Sequence, residues 1–545
     1  MPIFDLDSDT VTGPVVPGAP TEPELHVDEI QGNVFPGFGT RRQRLFGLKF
    51  DPAQVGAVRK WLAGQVGSIS TLAHANDARN ARRRDLRQGQ PRPLAPLLVN
   101  IAFSIGGLRL LAPAVDGIGD TAFVTGMSWR SGLGDPGAPG NRDWVVGGSE
   151  ATTPDALVIL GADSPDDLDQ GAAALLGSLA ASGGAVRSIY DQQGEVLEGE
   201  TEHFGFRDGI SQPGPRGRLS GLERHFLIRR YVDPADPLAL SHSRPGQPLV
   251  WPGQFVFGYR RQDPDEALAA GPVRAGAYPW MADGSFLVFR RLRQDVALFR
   301  TFVSEQAAAL RTQPGFSELR PERLAAAIVG RWPKGTALMR NAAGDDPDPM
   351  GDRLSVNHFG FAEAAPAVAV CSDPLVAIEE LAEALNGELR TIEGAPADPT
   401  GDRCPRFAHV RKVNPRDLTT DQNGPDRTLT LTILRRGITW GAPYPDDPAP
   451  ADSGDRGLLF LAYMTSITNQ FEILNDRWMN RAAGPEGGAN HDLLVGQNQS
   501  GPRSGTLRSG QAEAAISPPE SWVTPTGGGY FFAPSISALR SFATG

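Results

Sequence analysis

The sequence predicts an α+β fold made of two ferredoxin-like domains with antiparallel sheets. Two observations carry the prediction: strand, helix and strand patterns follow one another in two successive sets, and each pattern keeps its own apolar period. QRLFGLKF (43–50) reads as a strand, VGAVRKWLAGQV (55–66) as an amphipathic helix and PLLVNIAFS (96–104) as a second strand. DALVILGA (155–162) is then a strand, SPDDLDQGAAALLGSLAAS (164–182) a helix with a serine cap and proline at its first position, and AVRSIYDQQ (185–193) a further strand. Two such split units make one ferredoxin-like domain.

The second set opens with GSFLVFRRL (284–292) and the helix QDVALFRTFVSEQAAAL (294–310), and its later strands are expected at 428–436 and 457–465. PGPRGRLSG (213–221), rich in Gly, Pro and Arg, marks the connector. The expected organisation is a flexible arm over 1–25, an N-terminal domain over 26–220 and a C-terminal domain over 221–545. Gly- and Pro-rich stretches at 131–142, 341–353 and 391–401 read as long surface loops.

A formal charge of −11 spread along the chain argues against a nucleic-acid or anionic-membrane surface. Two cysteines, Cys371 and Cys404, supply neither a disulfide framework nor a CxxC site, which fits a reducing compartment. The first 25 residues carry acids and prolines where a secretory signal has a basic start and an apolar run, so the expectation is a cytoplasmic protein. No stretch of the chain reaches 18 uninterrupted apolar residues, and no membrane span is expected.

Chemistry concentrates in EHFGFRDGISQP (202–213), where Asp208 stands in Gly-x-x-Asp-Gly between Gly205 and Gly209. Little bulk surrounds the carboxylate, so a ligand can approach its backbone closely, although an aspartate in a glycine-permitted turn gives the same pattern. The ten residues FGFRDGISQP resemble the signature of the dye-decolorising haem peroxidases. IQGNVFPGF (30–38), RCPRFAHVRKVNPRD (403–417), ILRRGITWG (433–441), SITNQFEILNDRW (466–478) and GGGYFFAPS (527–535) resemble further segments of that family, in the family's order. The resemblance covers nearly the whole chain and is strongest to the longer forms.

The resemblance implies a fold of the dimeric α+β barrel type, haem b held mainly by the C-terminal half, and Asp208 on the peroxide side of the iron. Eight histidines compete for the axial position. A lone histidine is usually a surface or satisfied core residue, and His203 and His358 stay as rivals, but only His409 in FAHVRK matches the family's iron ligand. Arg435 can be chosen by alternation: Leu429, Leu431, Ile433 and Arg435 share one face of a predicted strand, and an arginine on an apolar face needs a buried anionic or polar partner. The family's peroxide-side arginine aligns there too. Leu458 and Phe460 share a strand face and match residues that line the family's pocket. Arg416 matches a propionate contact, with Arg411 and Lys412 as further candidate cations.

A histidine ligand is oriented by a carboxylate on its other ring nitrogen, and Glu472, on a predicted helix with Ile467, Phe471, Leu474 and Trp478, is the candidate; a solvated helix-face glutamate is the other reading. The implied partners are hydrogen peroxide and a reducing small molecule, aromatic, dye-like or Mn(II), with Asp208 moving the proton and activity favouring mildly acid pH. Trp440, Tyr444 and Trp478 are candidates for relaying electrons from larger donors. Residues 364–400 read as an insertion, with a helix at PLVAIEELAEALNG (374–387). The alternative function is haem binding or delivery without peroxidase turnover, and the oligomeric state is left open.

Overall fold

The computed structural model describes residues 15–87, 95–262, 278–346, 353–371, 389–445, 454–488, 490–497 and 502–545. The N-terminal half contributes β1 (Arg42–Phe50), α1 (Val55–Val66), α2 (Leu72–Arg87), β2 (Leu98–Phe103), β3 (Ala156–Ala162), α3 (Pro165–Ala181) and β4 (Val186–Glu195). The C-terminal half contributes β5 (Ser285–Gln294), α4 (Val296–Leu310), α5 (Pro321–Val329), α6 (His409–Val413), β6 (Leu434–Arg435), β7 (Ile438–Trp440), β8 (Gly457–Met464), β9 (Val523–Ala533) and α7 (Ile536–Thr544). The expected caps are present: Ser164 accepts from Asp167 N with Pro165 at the first helical position, and Asp295 caps α4 through Leu298 N.

These strands form one antiparallel sheet in the order β6, β8, β5, β9, β2, β3, β1, β4, with β7 also beside β8. The halves meet where β9 pairs with both β5 and, at Phe532 and Phe103, β2. The far ends also meet, because the Thr439 hydroxyl donates to Glu195 O and Gly194 packs under Ile438 and Thr439. The sheet therefore curls round on itself.

Both of its faces are buried. Along β5, Phe286 and Val288 enter a core shared with Trp61, Leu168 and Phe542 of the covering helices, while Leu287 and Phe289 enter a core shared with Leu45, Ile159, Leu461 and Phe531 on the opposite face. Period-two alternation of large apolar residues on both sides gives strands this treatment.

One expectation changes, and one strand was not expected. The strand expected over 428–436 is a turn of helix at Pro425–Thr428, a 3₁₀ turn at Leu429–Leu431 and only the two residues of β6, since the Thr430 and Thr432 hydroxyls donate back to Arg427 O and Leu429 O. The eleven-residue β9, a central strand, lies where the sequence offered only Gly527, Gly528 and Gly529 beside three aromatics. In the region 364–400, Val368–Cys371 pairs with Leu389–Ile392; the helix expected at 374–387 lies outside the described residues.

Gly147 joins the segment after residue 142 to β9: its φ is +78°, and an added Cβ would stand 1.8 Å from Gly528 O. Gly147→Ala is expected to cost roughly 2 kcal/mol or more in denaturant unfolding. An unchanged midpoint would show that this junction carries no stability.

Candidate active site

A cavity of about 800 Å³ opens between the outer face of the sheet and the C-terminal helices, and Asp208, Arg435, His409, Arg416, Leu458 and Phe460 all line it. Glu472 is absent from its wall, as are Arg411 and Lys412.

Asp208 sits just beyond a tight hairpin in which Glu202 N donates to Phe206 O and Asp208 N to Glu200 O, at 2.8 and 3.2 Å. The segment that follows is docked on β6: Gln212 exchanges hydrogen bonds with Arg435 O and N, and Arg435 Nη2 donates to Ser211 O at 2.8 Å. Arg435 Nη1 then reaches Asp208 Oδ1 at 3.0 Å. This is the anionic partner that an arginine among leucines requires. Leu429, Leu431 and Ile433 line the same cavity, so their shared destination holds although the backbone is mostly not strand.

Burial opposes ionisation of Asp208, but the Arg435 charge, the Gly209 N–H and the His409 side chain outweigh it and hold the carboxyl below the usual aspartate range. Its side chain is 40 % exposed, and that exposure faces the cavity it lines.

His409 begins α6. Its Nδ1–H donates to Asp492 Oδ2 at 2.7 Å, which leaves Nε2 for a ligand in the cavity. Asp492 has no exposed side-chain surface, and its other oxygen accepts from Leu494 N and Val495 N, both at 3.0 Å. Burial works against its charge, yet His409 and these donors keep it low. The rivals are committed elsewhere: His203 Nε2 is bonded to Trp440 O and His358 Nε2 to Pro366 O.

The carboxylate behind His409 is thus Asp492, and Glu472 is corrected to a structural role. Glu472 accepts from Arg130 Nε at 2.8 Å and from the Tyr530 hydroxyl at 2.9 Å. The helix carrying it, Ile467–Met479, is wound as a π-helix, which changes the side-chain spacing on which the expectation relied. Asp492, in NHDLLVG, has no periodicity to mark it; the carboxylate followed by two residues whose N–H groups it accepts is its only local signal.

Arg416 holds a left-handed backbone, φ +55°, with its guanidinium 3.7 Å from the centre of the Phe359 ring. Nη1 donates to Asn357 O and Phe359 O, while Nε and Nη2 are buried without a partner. Burial, helped by Arg331, pushes it down to about 9. Two unmet donors beside a cavity call for an anion. Arg411 and Lys412 are not available: Arg411 is paired with Glu486, and Lys412 donates to Arg481 O, Gly484 O and Asn490 O.

Leu458 and Phe460 share a face of β8 and cover part of the wall, with Phe471 6.0 Å from Phe460. Of the candidate relays, Trp440 is buried, Tyr444 lies between Arg300 and Arg456, and Trp478 lines the cavity while donating Nε1–H to Asp421.

Comparison with known proteins agrees with this geometry. Residues 29–196 match the profile of the DyP dimeric alpha+beta barrel domain. The chain is 29 % identical over 461 residues to a dye-decolorizing peroxidase of Mycetinis scorodonius, covering 81 % of this chain and 76 % of that protein. An ancestral D-type dye decolorizing peroxidase superposes with a TM-score of 0.72 at 29 % identity, over 95 % of this chain and 99 % of the other. A dye-decolorizing peroxidase in complex with 2,6-dimethoxyphenol gives 0.68 at 26 % identity, over 95 % and 100 %. Signature, barrel, cavity and these likenesses point one way: over most of its length the chain is similar to the dye-decolorising peroxidases.

Proposed function

We propose that the chain is a haem-dependent peroxidase that reduces hydrogen peroxide and oxidises aromatic or dye-like molecules in one-electron steps. The observation that carries this reading is the meeting, in one cavity, of Asp208 paired with Arg435 and of His409 backed by a buried carboxylate.

The residues suit iron protoporphyrin IX. His409 Nε2 is the free imidazole nitrogen for the iron, and the unmet Nε and Nη2 of Arg416 suit a propionate. When bound, that group supplies the electron-transfer chemistry. The protein supplies the rest. Ionised Asp208 accepts a proton from one peroxide oxygen and returns it to the other, so that water can leave. Arg435 faces the negative charge that grows during the cleavage, fixed beforehand by Ser211 O and Gln212. Asp492 keeps the His409 ring oriented and electron-rich. Leu458 and Phe460 limit water. The phenol bound to the related peroxidase supports phenolic donors as the substrate class. Haem delivery has no use for the paired Asp208 and Arg435.

The test is stopped-flow mixing of the haem-loaded protein with one equivalent of hydrogen peroxide. The Soret band is expected to shift rapidly, with Asp208→Ala slowing the reaction by about 10²–10⁴-fold and Arg435→Leu by about 10²–10³-fold. A spectrum that peroxide leaves unchanged would move the assignment to haem binding. Because Asp208 is held below its ordinary value, its working ionised form persists as pH falls and is lost only below the usual aspartate pKa of about 3.9. Arg435→Leu removes the main stabilising charge and should move that acid limb to higher pH; an unmoved limb would show that another group titrates. Asp492→Asn should weaken haem retention, read by transfer to apomyoglobin, by about 10–100-fold.

A further inference from the structure

Six residues before Asp208, on the wall of the same cavity, lies a half-buried carboxyl that the mechanism above does not use. Glu202 Oε2 accepts from Phe204 N and Oε1 from Phe206 N, both at 2.9 Å, so the tip of the hairpin, His203 to Phe206, is folded around this one side chain. Gly205, with φ +95°, lets the chain turn there, and its N–H donates to Glu202 O. The hairpin delivers Asp208 to the cavity, so the position of the reacting carboxylate depends on Glu202.

The third partner of Glu202 is Gln294 at the end of β5, whose Nε2 donates to Oε2. The other end of that amide, Gln294 Oε1, is buried with no partner. An orphan carbonyl beside a carboxyl has a direct remedy. If Glu202 carries a proton, the Gln294 amide turns over, Oε1 accepts the carboxyl O–H, and the two backbone contacts remain. No cation among the described residues forms an ion pair with Glu202. The charge that faces it is Asp208; adjacent His203 is buried, bonded to Trp440 O and held below its usual value by burial, and the nearby Arg207 is paired with Glu200.

We propose that Glu202 is the positioning residue of the Asp208 loop and that it works in its protonated form, with Gln294 Oε1 accepting the proton. Burial pushes the Glu202 carboxyl up to about 7, with Asp208 adding to the effect and the three hydrogen bonds opposing it. Above that pH, Glu202 places a second negative charge behind Asp208 and disfavours the negative charge that must grow on peroxide. The alkaline limb of activity therefore belongs to Glu202. This consequence rests on the peroxidase reading; the protonated state of Glu202 does not.

The experiment uses the full chain and has two arms. In the first, difference infrared spectra across a pH titration are expected to show the carbonyl band of a carboxylic acid that is lost near pH 7, is missing in Glu202→Gln, and moves to higher frequency in Gln294→Leu, where the acceptor of the carboxyl O–H is gone. Unfolding supplies the matching sign. A carboxyl raised from 4.5 to about 7 by folding stabilises the fold below 4.5 and loses that contribution as pH rises through 7, so the wild-type folding constant should fall by roughly two powers of ten relative to Glu202→Gln. No such band, or a band that Glu202→Gln retains, overturns the proposal. In the second arm, the wild-type rate of reaction with peroxide should drop severalfold from pH 6 to pH 8 and the drop should vanish in Glu202→Gln; a drop that the variant keeps overturns the link to Asp208. A titrating band in a protein that does not react with peroxide would sink the peroxidase reading and leave Glu202 as assigned.

Discussion

The ion pair between Asp208 and Arg435 spans 227 residues of sequence and joins two segments on one wall of the cavity. Neither charge would be tolerated alone on that wall, because an unpaired ion facing an apolar cavity loses its hydration without compensation. Together they hold each other, and the pair fixes two elements with little regular structure of their own: the loop after the Glu202 hairpin and the two-residue strand β6. Gln212, bonded to the backbone O and N of Arg435, and Ser211 O, which accepts from its guanidinium, complete the docking. Such preorganisation gives an arginine its value when charge develops in a reaction, since no solvent has to reorient.

The same logic repeats around His409. Asp492 is wholly buried, and it stays ionised because the imidazole N–H and two backbone N–H groups are aimed at its oxygens. Lys412, three residues beyond His409, is buried among backbone carbonyls of the 481–490 segment, and burial lowers its pKa to about 8. It ties the turn of α6 to the chain that leads into Asp492. Of the three basic residues that follow His409, Arg411 and Lys412 thus serve the scaffold, and Arg416, in strained left-handed backbone, keeps unmet donors.

How much was legible follows the range of the interactions involved. Strands β1 to β5 and β8, and helices α1, α3 and α4, were readable because their apolar period is imposed by burial on known faces and their ends by local caps such as Ser164. The 428–436 segment failed because threonine hydroxyls close local turns that mimic helix, which no alternation of leucines reveals. Strand β9 was missed because three glycines weaken a strand pattern; in the sheet they permit close approach, as where Gly528 lies against Phe289 O.

At the site, the sequence by itself singled out the candidate set that one cavity brings together: Asp208 by its glycine-flanked signature, Arg435 by an apolar setting that demands an anion, and His409 by likeness to the family's ligand. Only the tertiary structure decided which carboxylate stands behind His409. Glu472 had the better sequence argument, but the π-helical winding places it against Arg130 and Tyr530, while Asp492 arrives from a loop 83 residues away. A hydrogen bond is satisfied by whatever group the folded chain brings within 3 Å, and for partners that far apart in sequence no local period records the approach.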